Sequence, residues 1–138
     1  GAAAREAGAA RLEKAAAKAG KLGRKFAALP PPARHELRKR LKKLRYAAQV
    51  FEPLFKSGQT APYLTHLGAL QDSLGALNDV AAAEETLARL PVAAQHRTAA
   101  AKAGGFILGY HGRRAEQDLK AAEKLWKKFA KAPRFWQG

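Results

Sequence analysis

Residues 33–46 read Ala33-Arg34-His35-Glu36-Leu37-Arg38-Lys39-Arg40-Leu41-Lys42-Lys43-Leu44-Arg45-Tyr46. Two periodicities are superimposed here. Leu37, Leu41 and Leu44, continued by Ala48, Phe51 and Phe55, recur in steps of three and four, the spacing that places side chains on one face of an α-helix. His35, Arg38, Lys42 and Arg45 recur at the same spacing. At about 100° per residue this second row runs beside the leucine stripe, not opposite it. Lys39 and Lys43 widen the basic surface outward. Like charges at i,i+4 destabilise a helix by a few tenths of a kcal/mol per pair. From His35 to Arg45 there is one acid, Glu36, against six Lys or Arg. A bound row of anions is a physical reason for such an arrangement; a solvated, solubilising face is the plainer one.

Outward from this segment the same apolar spacing returns. It is carried by Leu12, Ala15, Ala19, Leu22, Phe26 and Leu29 before it. After it come Leu64, Leu67, Leu70, Leu74, Leu77 and Ala81, then Ala115, Leu119, Ala122, Trp126 and Phe129. Each set makes one stripe facing a core. Proline and glycine mark the breaks: Pro30-Pro31-Pro32, Ser57-Gly58 with Thr60 as N-cap and Pro62 in a first turn, Leu90-Pro91, and Pro133. The spacing therefore predicts four helices, at about 2–29, 33–56, 61–90 and 92–131, the last interrupted near Gly104-Gly105 and from Gly109 to Gly112. Short connections predict antiparallel neighbours, so the expected fold is all-α, a single domain built as an antiparallel four-helix bundle.

Basic rows also recur. The first helix carries Arg11, Lys14, Lys18, Lys21 and Lys25 on one face, and the last carries Arg113, Lys120, Lys124, Lys127 and Lys131. The whole chain has 26 Lys and Arg against 11 Asp and Glu, a net charge of +15. Such a chain repels itself, and a polyanion relieves that repulsion. Charge alone leaves nucleic acid, acidic lipid, an acidic protein and polyphosphate open.

Other chemistries are narrowed by what the sequence lacks. There is no cysteine, which excludes disulfides, zinc–thiolate sites and cysteine nucleophiles and fits a reducing compartment. There is no methionine either, so a processed, trimmed or fragmentary chain is expected. No run of about 18 apolar residues offers a membrane span. His66, His96 and His111 show no ligand-like spacing to acids, so no metal site and no cofactor is expected. Metalloprotease, nucleophile-elbow, dinucleotide and P-loop motifs are absent, and no acidic cluster is suited to magnesium-assisted phosphoryl transfer. The chain is therefore expected not to be an enzyme. Asn78-Asp79, with Gln71-Asp72 and Gly75 just before, interrupts a leucine-rich helix. Polar groups there need partners, and arginines of a neighbouring helix are the expected ones, with Gly75 allowing close approach.

These residues together carry a resemblance. The stretch from Ala33 to Tyr46, then Phe51, closely resembles the His-Glu-Leu-Arg…Lys-Lys-Leu-Arg-Tyr motif of CHAD domains, the conserved-histidine α-helical domains. Tyr63-Leu64, Leu67, Leu70-Gln71-Asp72 and Leu74-Gly75-Ala76-Leu77-Asn78-Asp79 look like that family's Leu-Gln-Asp…Leu-Gly…Leu-Asn-Asp signature. Gly109-Tyr110 and the ending Trp126-Lys127-Lys128-Phe129 with Pro133-Arg134-Phe135-Trp136 are similar too, so the resemblance runs from about Arg5 to Trp136. It implies non-catalytic binding of inorganic polyphosphate on a basic helical surface, in the cytoplasm and in association with polyphosphate granules. Carried over by position, the binding residues are His35, Arg38, Lys42 and Arg45, followed by Lys14, Lys18, Lys21 and Lys39, with Asn78 and Asp79 as structural polar groups.

In one respect the sequence departs from the family. A complete CHAD domain looks like two similar helical halves around a basic cavity, whereas this chain resembles the C-terminal half, and no internal repeat supplies the other. A fragment of a longer protein, a single-repeat form that rebuilds the cavity as a homodimer, and a lone half-site all fit. The competing reading is a non-specific nucleic-acid-binding protein. The charge favours it; the lack of a helix-turn-helix pattern and of aromatics interleaved with the basic rows, Tyr46 apart, counts against it.

Overall fold

The computed structural model describes residues 1–56, 58–89 and 96–137. The chain is all-α. Four long helices, α1 (Ala2–Gly23), α2 (Pro31–Phe51), α3 (Thr60–Arg89) and α4 (Arg97–Lys131), carry the fold, with short 3₁₀ turns at Phe26–Ala28 and Glu52–Leu54.

The helix ends depart from the predicted ones for local reasons. α1 stops at Gly23, not near residue 29, and the following 3₁₀ turn lays Phe26 onto Trp126 with ring centroids 6.2 Å apart. α2 begins at Pro31, because a proline at the first helical position loses no intrahelical bond and has its φ already set. It ends at Phe51 instead of 56, because Pro53 has no N–H to continue the ladder and the chain tightens into a 3₁₀ turn. At α3 the Gln59 carbonyl accepts the Tyr63 N–H at 3.0 Å, so Thr60 is the first helical residue rather than the cap. The Thr60 hydroxyl is buried without a hydrogen-bond partner among the described residues. The predicted end of α3 at Leu90 and start of α4 at Val92 lie outside the described residues.

The predicted interruption of α4 is overturned. The helix runs unbroken from Arg97 to Lys131 through Gly104, Gly105, Gly109 and Gly112. Glycine costs about 1 kcal/mol per position relative to alanine but keeps its N–H, so it weakens a helix without ending it. Proline, which would have ended it, is absent from that span.

Consecutive helices pack on one another, α1 on α2, α2 on α3 and α3 on α4. Side-chain register gives the directions. Phe51 covers Gly8 and Arg40 reaches the Lys18 carbonyl, so α1 and α2 run in opposite senses. His35 meets Asn78 and Arg45 meets Gln71, so α2 and α3 do too. The core is drawn from the predicted stripes: Leu12, Ala19 and Phe26, then Leu37, Leu41, Leu44 and Ala48, then Leu67, Leu70, Leu74 and Leu77, and Ala122, Trp126 and Phe129. Of the other predicted members Leu22, Leu29, Phe51, Leu64 and Leu119 are partly buried against it, and Ala81 and Ala115 do not belong to it. Ala16 fills the remaining small-residue face of α1, and Gly23 lies where any Cβ would strike Trp126.

The C-terminal segment closes one end of the core. Phe135 and Trp136 are buried and meet Tyr63 edge-on, at 5.7 and 5.1 Å between ring centroids. Burial pushes the Tyr63 hydroxyl pKa up, against a smaller opposing effect of Arg134. The segment is fastened to α1 through one carboxylate. Trp136 Nε1 and Gln137 Nε2 donate to Glu13 Oε2 at 2.7 and 3.0 Å, and Arg134 pairs with Glu13 Oε1. At the other end, no residue of α3 beyond Leu77 is buried, nor is any at 97–106, 109 or 112–121 of α4, and Phe106 is 76% exposed.

Candidate polyanion-binding surface

The two basic rows of α2 fall on different sides of the helix. Taking about 100° per residue, the row His35, Arg38, Lys42 and Arg45 lies about 110° from the Leu37/Leu41/Leu44/Ala48 stripe in one direction. Glu36, Arg40 and Lys43 lie about 100° from it in the other, and Lys39 points directly away from the core. Because the stripe is buried between α1 and α3, one row borders α3 and the other borders α1.

Along the α3 side, the row meets a line of uncharged groups. Asn78 Nδ2 lies 3.3 Å from His35 Nδ1. An amide N–H donates, so His35 Nδ1 accepts in this contact and Nε2 is the nitrogen left for other partners. One turn on, Gly75 leaves the space taken by the Arg38 guanidinium, whose Nη2 would be 3.3 Å from any Cβ there. Further along, Arg45 Nη1 donates to Gln71 Oε1 at 2.9 Å. The Lys42 ammonium stands 5.8 Å from the Tyr46 ring centroid, a cation–π arrangement. His35, Arg38 and Lys42 are exposed and Arg45 is half-buried. α3 thus orients the row with an amide, a missing side chain and a second amide. A carboxylate in any of these positions would hold the same groups and cancel their charge; neutral partners leave it available to an anion.

On the α1 side the helices enclose an open cleft of about 730 Å³, lined by Arg11, Lys14, Ala15, Lys18 and Lys21 from α1 and Glu36, Arg40 and Lys43 from α2. Six cations face one carboxylate. Arg40 is held in place, donating from Nη1 to the Lys18 carbonyl at 2.9 Å and pairing through Nε with Glu36 at 3.5 Å. Lys14, Lys18, Lys21 and Lys43 are exposed.

The eight predicted binding residues therefore do not form one group. His35, Arg38, Lys42 and Arg45 come together on the α2–α3 side. Lys14, Lys18 and Lys21 come together in the α1–α2 cleft with Arg11, Arg40 and Lys43, and Lys39 stands between the two. Of the structural pair, Asn78 takes His35 instead of the expected arginine, Gln71 takes an arginine, and Asp79 is exposed. Sequence reasoning left Arg40 out of the site and placed Lys43 on the outward face. Position around the helix, counted from the leucine stripe, would have put both beside Glu36. It also passed over Arg34, whose Nε is buried without a hydrogen-bond partner among the described residues.

The α4 row differs. Lys127 pairs with Glu123 at 3.2 Å, and Arg114 stands 3.9 Å from Asp118. Acids interleave with the bases there, the ordinary pattern of a solvated helix face. Among the described residues no group of three or more histidines and carboxylates is placed to hold a metal ion, and no helix is long and apolar enough to cross a membrane.

An all-helical, strongly cationic module with an oriented His/Arg/Lys row is the class that fold and surface define. The chain belongs to the CHAD domain family, whose model matches residues 1–88 of the 138. The match takes in α1, α2 and nearly all of α3, and with them both basic surfaces of α2. The similarities read from Gly109-Tyr110 and from the C-terminal segment lie beyond it. No curated protein and no solved structure was found to match.

Proposed function

We propose that this chain binds inorganic polyphosphate, as a linear polyanion, on its basic helical surface and without catalysing a reaction on it. The observation that carries this reading is the row of His35, Arg38 and Arg45 set against uncharged partners on α3. Ordinary surface cations are paired with acids or left in solvent; these side chains are positioned by groups that carry no opposing charge. Arginine presents two N–H groups to phosphate oxygens, lysine a point charge and His35 an Nε2–H donor. Family membership supports the same reading, since CHAD domains in general bind polyphosphate.

In this reading the four helices form an antiparallel bundle that corresponds to one half of a two-bundle CHAD domain. A second half, from a longer chain or from a second copy, would face the end of α3 and the start of α4, where residues 78–89 and 97–106 contribute nothing to the core and Phe106 is exposed. The place of action is the cytoplasm, at polyphosphate granules.

The test is a titration with long-chain polyphosphate at about 0.15 M salt, where exposed charges act only over about 8 Å, with DNA of equal charge as competitor. The expected result is binding that DNA does not displace. Binding displaced equally by DNA would replace this reading with a generic cation surface, and so with the nucleic-acid alternative.

A further inference from the structure

We infer that the chain carries two separate phosphate-binding tracks, one on each flank of α2, and that only a long polyphosphate occupies both at once. The inference rests on the proposed function and deepens it by specifying the ligand's length.

Both tracks are built from α2, and the helix itself keeps them apart. His35, Arg38, Lys42 and Arg45 border α3; Arg40 and Lys43 border α1 and join Lys14, Lys18 and Lys21 in the cleft. The two flanks lie roughly 150° apart around α2. A helix with its side chains is about 10 Å across, so a short anion in the cleft cannot reach the far row.

The tracks also differ in kind. The α3-side row is an oriented ridge, its donors fixed by Asn78, Gly75 and Gln71. The α1-side track is a concave space of about 730 Å³ in which Arg40 alone is tied down. Exposed lysines there can follow an anion of any local shape. Between the tracks, over the outer surface of α2, the path is also basic: Lys39 lies on it, with Lys42 and Lys43 on either side, all exposed. Glu36, the one carboxylate among the described residues that line the cleft, is engaged by Arg40.

Two sites joined by one flexible ligand gain avidity, because binding at the first makes the second intramolecular. A ligand too short to span α2 gains none. Length selectivity then follows from placement alone, with no group that recognises a chain end.

The experiment compares tripolyphosphate with long-chain polyphosphate on the full chain by calorimetry. Three proteins are used: the wild type, Lys14→Gln/Lys18→Gln/Lys21→Gln in the cleft, and Arg38→Gln/Lys42→Gln/Arg45→Gln on the ridge, with helicity checked by circular dichroism. The wild type should bind two tripolyphosphates and each triple variant one. Long-chain affinity should exceed that of tripolyphosphate by about a hundredfold or more and fall by about that factor in either variant. A single tripolyphosphate site in the wild type, or a cleft variant that keeps wild-type long-chain affinity, overturns the two-track arrangement while leaving polyphosphate binding on the ridge intact. If equal-charge DNA displaces the long chain from the wild type, the proposed function itself fails, and this inference with it.

Discussion

The side-chain amide of Asn78 on α3 faces Nδ1 of His35 on α2 at 3.3 Å, across the groove between the two helices. The contact fixes which ring nitrogen is free. With the amide N–H donating to Nδ1, the ring presents Nε2–H outward, beside Arg38 and Lys42. A hydrogen-bond donor is thereby added to the row of Arg38, Lys42 and Arg45.

Replacing Asn78 by Leu removes the donor and leaves the His35 ring free to rotate. A net hydrogen bond is worth about 1 kcal/mol, so polyphosphate affinity should fall roughly fivefold. Asn78 is only half-buried, so thermal stability should change little. His35→Ala should cost at least as much affinity, and the double variant no more than His35→Ala alone. Additive losses in that cycle would show that Asn78 does not act through His35.

Glycines of the two outer helices make opposite predictions. A Cβ on Gly23 would lie 2.1 Å from Trp126, a ring already stacked on Phe26. Gly23→Ala should therefore destabilise by about 1–3 kcal/mol, as overpacking does. A Cβ on Gly104 or Gly105 meets nothing within 4 Å, so alanine there should stabilise by about 0.5–1 kcal/mol per site through helix propensity. Urea titrations of the three variants check both signs. Destabilisation by Gly104→Ala would mean that α4 is not helical at that position.

Glu13 ties the C-terminal segment to α1. Burial by itself would raise its pKa; hydrogen bonds from Trp136 and Gln137, with Arg134 beside it, more than offset this and hold the carboxyl below its ordinary value. A carboxyl with a lowered folded pKa contributes stability that is complete above its unfolded pKa and is lost as pH falls through the folded one. The fastening should accordingly be intact at neutral pH and released in acid, below the usual carboxylate range. Glu13→Ala, which strands the Trp136 N–H and the Arg134 guanidinium, should cost about 1–2 kcal/mol at neutral pH and shift Trp136 fluorescence. Its stability should then lose the acid dependence that the wild type shows in this range. An acid profile identical to that of the wild type would show that Glu13 is not the titrating group.

The core was legible in the sequence because leucine at helical spacing has few readings: Leu37, Leu41, Leu44, Leu67, Leu70 and Leu74 are all fully buried. Tyr63, four residues before Leu67, continues the Leu67/Leu70/Leu74/Leu77 stripe, but the stripe was begun one residue late, at Leu64, which is only partly buried. Phe135 and Trp136 follow Pro133 and lie outside any helical periodicity. The site was half legible. Spacing identified the rows but not what they border, because a row beside a stripe can face the helix before or the helix after, and only the direction of rotation around α2 decides. Arg40 and Lys43 were misplaced for that reason. The unbroken α4 shows the same limit from the other side, since clustered glycines read as a break while the helix needs only their N–H groups.

Salt dependence separates an oriented row from bulk charge. For nucleic acids, each phosphate contact contributes roughly 0.7 to 0.9 to the slope of log affinity against log salt, because a bound counterion is released. If Arg38, Lys42 and Arg45 each hold a phosphate, changing all three to Gln should flatten the slope for long-chain polyphosphate by about two to three units. Changing Lys124, Lys127 and Lys131 of α4 to Gln removes the same net charge. That face, however, already neutralises Lys127 with Glu123, so the slope should move by less than about one unit. Equal slopes for the two triple variants would mean that the ligand senses only the chain's total charge of +15 and that the arrangement of α2 against α3 plays no part. Unequal slopes in the expected order would tie the affinity to side chains that Gln71 and Gly75 hold in place.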